Sequence, residues 1–143
     1  MNEMKLEFLS RLENESFART SVVAFLMPLN LPMDCVMELK TMLAEAVVNA
    51  MIHGYEKEEG MVKLHVFYDE ECIHMEVRDE GCGIEDIEQV MEPMYTSKAH
   101  LERSGMGMTI MQAFADQFHV TSQKGSGTLV EITKRIPNGN ASD

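Results

Sequence analysis

The chain is short of positive charge. Twelve Lys and Arg stand against 24 Asp and Glu, a formal net charge of −12. Such a field repels nucleic acid, whose binding depends on Lys and Arg neutralising phosphates. It attracts a basic protein partner and speeds that encounter, although the same excess of acid also serves solubility alone. Cysteine is scarce too. Cys35, Cys72 and Cys82 form no CxxC pair and no metal-finger spacing. An odd, scattered set suits a reducing cytoplasm. Long apolar runs are missing: none approaches the roughly 20 residues that span a bilayer. Met1 to Ser10 carries Glu3, Lys5 and Glu7 instead of the apolar core of a signal peptide. No repeat or interdomain linker interrupts the 143 residues, which suit one domain with a single core. The 14 methionines are spread along the chain and suit core filling.

What is present alternates between the two periods of regular structure. Leu6 and Phe8 share a face of a strand over Met4 to Leu9. Asn14 offers a cap for a helix to about Met27, ended by Pro28, and Asp34 a cap for a long helix stopping at Gly54. Met61 to Tyr68 and Cys72 to Asp79 alternate and read as a β-hairpin across Asp69-Glu70-Glu71. A short acidic helix is expected near Glu85 to Met91, and a mobile loop over Pro93 to Ser104. A helix over Gly107 to Phe118 follows, then a closing hairpin of His119 to Ser122 and Thr128 to Ile136. This order predicts an α+β fold: a two-layer sandwich of a mixed, mostly antiparallel sheet with helices on one face. The folded domain is expected over 1–136, with a frayed tail over 137–143.

Three segments carry chemistry. Met42 to Ile52 is apolar except for Glu45 and Asn49, which lie one turn apart on one helix face, and His53 continues the stripe. A carboxylate on so apolar a helix is costly unless it is paired or faces a polar cavity. The pair could be a solvent-facing strip. It could also supply a general base and an oxygen ligand of the kind Mg²⁺ takes. Asp79-Glu80-Gly81-Cys82-Gly83 ends a strand; it is either a plain tight turn or a place where Asp79 accepts from an exocyclic amino group and Gly81 and Gly83 let backbone approach a flat base. Arg103-Ser104-Gly105-Met106-Gly107 precedes a helix, where free N–H groups favour anions, with Lys98 and Arg103 as nearby cations. It is neither a Walker A loop nor a complete GxGxxG turn.

Taken together and in this order, the three segments resemble the GHKL ATPase family of gyrase, histidine kinase and MutL type. Asn14 to Arg19, Glu45 to Tyr55, Arg78 to Ile84 and Leu101 to Met111 are most similar to its branch of anti-sigma serine kinases from spore-forming bacteria. The resemblance implies ATP and Mg²⁺ as cofactors, and phosphorylation of a serine on an anti-anti-sigma protein. It also implies sequestration of a sporulation sigma factor by a homodimer, without direct nucleic-acid or membrane binding. Glu45 would be the catalytic base and Arg103 the cation at the γ-phosphate. Asn49 would hold the metal. Asp79, with Thr128 through water, would read adenine beside Gly81 and Gly83. Ser104, Gly105, Met106 and Gly107 would cradle phosphates, and Arg19 would contact partners. Two alternatives stay open: a stress-response relative with another sigma partner, and a binding module in which ATP is only a structural ligand.

Overall fold

The computed structural model describes residues 1–54, 59–81, 107–123 and 125–137. Its order is strand β1 (Asn2–Leu9), helix α1 (Glu13–Leu26), a 3₁₀ turn (Met27–Leu29), helix α2 (Met33–Asn49) continued by a π-helical turn (Ala50–Gly54), strands β2 (Met61–Tyr68) and β3 (Cys72–Asp79), helix α3 (Gly107–Phe114), and strands β4 (Gln117–Gln123) and β5 (Gly127–Arg135). The sheet runs β1-β2-β3-β5-β4, and every described pairing is antiparallel.

Period-2 alternation gives the sheet two unlike faces. Phe8, then Val62, Leu64 and Val66, Ile73, Met75 and Val77, and Val130 and Ile132 are all buried. Register places Leu64 opposite Val77, Val77 opposite Val130, and Val130 opposite Val120, so the apolar rows run unbroken across the strands. The other face carries Lys5, His65, Glu76, Glu131 and His119 in one row. On it the imidazole of His65 sits 3.0 Å from Glu76 and 3.2 Å from Glu3, and the Phe67 ring stacks on His74. Against the apolar face, α2 supplies Leu39, Met42, Leu43, Ala46 and Val47, each at most 3% exposed, with Ala18, Val22 and Leu26 of α1 and Met111 of α3. Burying a side chain of this size is worth about 1.5–3 kcal/mol, so the five buried residues of α2 contribute substantially to stability.

Several boundaries differ from the sequence expectation. Asn14 is no cap: Leu12 occupies the N-cap of α1, and the Asn14 amide donates instead to the Leu9 carbonyl, tying helix to strand. Pro32 precedes α2, and Asp34 accepts the Cys35 N–H from within the first turn. The helix over 107–118 stops at Phe114. The Lys134 ammonium donates to the Phe114 carbonyl at 2.8 Å and to Glu38 of α2 at 3.3 Å, closing the helix and locking it to α2 and β5. Asp116 then leads into β4, its N–H on the Thr133 carbonyl and its carboxylate on the Arg135 N–H. Phe114 and Phe118 are four apart and mimic helical spacing, but Phe118 belongs to the strand. The hairpin β2–β3 is as expected, with Asp69 accepting the N–H groups of Glu71 and Cys72; these bonds hold its carboxyl below the usual range. The acidic helix near 85–91 and the loop over 93–104 lie outside the described residues, as do 138–143 of the expected tail.

One close approach fixes the end of the sheet. Gly127 opens β5 at φ +95°, and a Cβ there would lie 2.1 Å from the Asp79 carbonyl oxygen. Gly125 has a similar φ of +82° but open space around it. Gly127→Ala is therefore expected to destabilise the fold by well over about 1 kcal/mol, and Gly125→Ala by the backbone strain alone. Urea titration of both variants checks this; equal losses would mean that the contact with Asp79 is unimportant.

Candidate functional site

The apolar rows of the sheet give way at one end to a polar one. Ile73, Met75 and Val77 lead to Asp79; Ile132 and Val130 lead to Thr128; Phe118 and Val120 lead to Ser122. Asp79 is in register with Thr128, and Thr128 with Ser122, so three polar side chains line up across β3, β5 and β4 on the buried face. Asp79 is 5% and Thr128 8% exposed. Ionised carboxylates are seldom buried this far without specific partners.

Each member is held in place. Asp79 Oδ1 accepts the Gly81 N–H at 2.9 Å, and the Thr128 backbone N–H also bonds the carboxylate. Burial pushes the Asp79 carboxyl above its ordinary range, and the two N–H bonds pull against that shift. The Ser122 hydroxyl donates to the Gly127 carbonyl at 3.1 Å, and its oxygen lies 2.8 Å from the Thr128 hydroxyl. With the Ser122 proton on Gly127, the Thr128 hydroxyl donates to Ser122 and keeps its own lone pairs as acceptors. The row is thus acceptor-rich at Asp79 and Thr128, which suits a flat ligand that brings N–H donors. Ser122 escaped the sequence reading. Its signal was a polar residue where the inward pattern Phe118, Val120 calls for an apolar one.

Glu45 and Asn49 stand one turn apart on α2, as expected, Glu45 half-buried and Asn49 8% exposed. Asn49 is the last α-helical residue. From Ala50 the helix widens into the π turn, a local irregularity that recurs at functional sites. That turn packs against β3 and β5, the strands carrying Asp79 and Thr128. The acid–amide stripe therefore sits on the helix whose end packs on the two strands that carry Asp79 and Thr128. Gly107 opens α3, which packs on α2. Arg19 is elsewhere, on α1, with its Nε 3.4 Å from Glu15 Oε2. Gly83, Arg103, Ser104, Gly105 and Met106 lie outside the described residues. So does Lys98.

A model of the histidine kinase-like ATPase domain matches residues 8–134. Relatives are similar over nearly their whole length. The anti-sigma F factor of Clostridium beijerinckii is 47% identical over 136 residues, 94% of this chain and 95% of the relative. That of Geobacillus kaustophilus is 48% identical over 141 residues, 98% of this chain and 97% of the relative. The chain belongs to the anti-sigma F factor family, within the histidine kinase-like ATPases. Among solved structures, the RsbU and RsbW domains of a Mycobacterium tuberculosis protein superpose with a TM-score of 0.70 at 14% identity, over 95% of this chain and 33% of that one. At that identity the likeness is one of fold, and it agrees with the sheet-and-helix layers expected from the sequence.

The raised Asp79 carboxyl has a consequence for stability. The folded state holds this proton more tightly than the unfolded chain, so the contribution of Asp79 to stability falls as pH rises through its unfolded and then its folded range. Asp79→Asn removes the buried charge and leaves an oxygen to accept the Gly81 N–H. The variant is expected to be more stable than the parent at pH 7, with the gain shrinking as pH falls toward the range where Asp79 protonates. Denaturant titrations at neutral and acidic pH check this; a gain independent of pH would contradict a charged, buried Asp79.

Proposed function

We propose that this protein is a cytoplasmic anti-sigma serine kinase. It binds ATP with Mg²⁺, phosphorylates a serine on an anti-anti-sigma protein and, as a homodimer, holds a sporulation sigma factor inactive. The observation that carries the reading is the buried row Asp79–Thr128–Ser122 at the end of an apolar sheet face, beside the helix of Glu45 and Asn49. The relatives' name, anti-sigma F factor, supplies the sigma partner.

The donor set fits an adenine nucleotide. The Asp79 carboxylate accepts from the exocyclic amino group, an acceptor fixed in advance by the Gly81 and Thr128 N–H groups. Thr128 would assist through its free lone pairs, and Gly81 and Gly83 would let backbone approach a flat base. Ser104, Gly105, Met106 and Gly107 would offer backbone N–H groups to phosphates ahead of α3. Asn49 would hold the metal through its amide oxygen, a hard neutral ligand of the type Mg²⁺ accepts. When bound, ATP supplies the phosphoryl group and Mg²⁺ neutralises charge between the phosphates. Glu45 takes the proton of the incoming serine hydroxyl. Arg103 would bring a planar cation toward the oxygens that gain charge, which would lower the barrier more than it tightens binding. Arg19 contacts the protein partner. A carboxylate at 45 distinguishes this reading from a pure binding module, which has no use for a base there.

Two variants test it. Glu45→Gln is nearly isosteric but cannot act as a base, so phosphoserine formation is expected to vanish while ATP stays bound. Near-normal transfer would remove Glu45 from that role. Arg103→Ala is expected to cost on the order of 10³-fold in single-turnover phosphorylation and far less in ATP affinity. Equal losses in both would make Arg103 a binding residue.

Asp79→Asn also bears on the nucleotide. It is expected to lose about 1–3 kcal/mol of ATP binding, because an amide no longer offers a carboxylate acceptor. Calorimetry with unchanged affinity would take Asp79 out of the adenine site.

A further inference from the structure

A serine stands where the apolar pattern of β4 has no use for one. Phe118 and Val120 pack against the core, and Ser122 follows them on the same face. It lies on an edge strand, in register with Thr128 of β5. Its hydroxyl is the middle of a short relay. The Thr128 hydroxyl oxygen lies 2.8 Å from Ser122 Oγ, and Ser122 Oγ donates to the Gly127 carbonyl at 3.1 Å. That carbonyl has no proton to give. The relay therefore runs one way, from the Thr128 O–H to Ser122 and from the Ser122 O–H to Gly127. Its far end is fixed, because Gly127 opens β5 at φ +95° in close contact with the Asp79 backbone. Thr128 is tied at two points, its backbone N–H on the Asp79 carboxylate and its hydroxyl proton on Ser122. The side chains of Asp79 and Thr128 are then left with acceptors alone.

We infer that Ser122 is a specificity-determining positioning residue: by holding the Thr128 proton it keeps Thr128 from donating, and so makes the site select a 6-amino purine over a 6-oxo purine. The inference rests on the adenine reading proposed above and adds the group that sets the discrimination. A 6-amino group brings N–H donors, which acceptors at Asp79 and Thr128 satisfy. A 6-oxo group brings lone pairs, and it meets lone pairs and a negative charge. Rejection of this kind is a difference of affinities, and it depends on the hydrogen bond the site does not offer. Asp79 alone does not complete it. A hydroxyl that can turn donates as readily as it accepts. Without Ser122, Thr128 supplies a 6-oxo group with the hydrogen bond that Asp79 withholds. Ser122 acts through Thr128 and needs no contact with the nucleotide. A Ser122 that merely satisfied Thr128 would change stability, or the affinity for both bases alike.

The test is a comparison of ADP with inosine diphosphate, whose base carries a 6-oxo group; neither has a γ-phosphate to transfer. Calorimetry with Mg²⁺ measures both on the full chain as wild type, Ser122→Ala, Ser122→Thr, Thr128→Val and the Ser122→Ala/Thr128→Val double variant. Urea titration without nucleotide records the stability of each. Wild type is expected to favour ADP by well over about 10-fold. Ser122→Ala is expected to narrow that ratio about 5- to 10-fold, mainly by binding the inosine nucleotide more tightly. Ser122→Thr keeps the hydroxyl and is expected to keep the wild-type ratio. In the Thr128→Val background, Ser122→Ala is expected to leave the ratio unchanged, since the residue it acts through has lost its hydroxyl. If Ser122→Ala does not fold, Ser122→Cys gives the same comparison with a much weaker acceptor. A loss of stability with an unchanged ratio makes Ser122 structural and overturns the inference. So does the same narrowing with and without the Thr128 hydroxyl. A wild type that does not distinguish the two nucleotides overturns the adenine reading as well, whereas a wild-type preference kept intact in Ser122→Ala overturns this inference alone.

Discussion

A carboxylate kept charged at the edge of an apolar core is the constraint around which the rest of this structure is arranged. Asp79 sits where three strands switch from apolar to polar on their buried face. Nothing in the bulk core could accommodate it there. The carboxylate survives because the Gly81 and Thr128 N–H groups bond it and because the row continues into Thr128 and Ser122. Gly127 must lack a side chain so that β5 can approach the Asp79 backbone. Charge, strand register and a glycine with positive φ are therefore one requirement expressed three times. The stability lost to a buried charge is what leaves an acceptor fixed and largely dry for a ligand.

The same logic explains the long helix. α2 is the main buttress of the sheet, and its buried positions read as a nearly continuous apolar run. Glu45 and Asn49 interrupt that run on one face only, and the regular helix ends at Asn49 before the π turn. Core and site are not separate regions here. The helix that holds the sheet together is also the element that carries Glu45 and Asn49, the proposed base and metal ligand, so mutations along it would report on stability and function together unless they are confined to the polar stripe.

Much of this was legible in the sequence for physical reasons. Period-2 alternation over Met61–Tyr68 and Cys72–Asp79 gave the central hairpin to the residue, because a half-buried strand leaves no other pattern. The break in the apolar run at Glu45 and Asn49 marked the polar stripe of α2. What escaped depended on contacts between distant segments. Asn14 has the chemistry of a cap, yet the Leu9 carbonyl claims its amide. The end of α3 is decided by Lys134, twenty residues further on, and by Asp116 bonding to β5. Ser122 gains its meaning only when β4 is set beside β5 in register.

The division of charge is the last piece. The described half of the site contributes two carboxylates, Glu45 and Asp79, and neutral groups at Asn49, Thr128 and Ser122. It offers no cation. A nucleotide adds further negative charge, and a protein of net charge −12 cannot offset it from its general field. In the proposed reading the compensating charge would come from the metal and from Lys98 and Arg103, in the stretch of sequence between β3 and α3. Recognition of the base would rest on the sheet and helix core, and the charge of the phosphates would be met from a separate stretch of sequence. Base recognition would then follow from strand register and burial, and phosphoryl transfer from the cations of that stretch. Substitutions at Lys98 or Arg103 would therefore alter transfer without disturbing the core that binds the base.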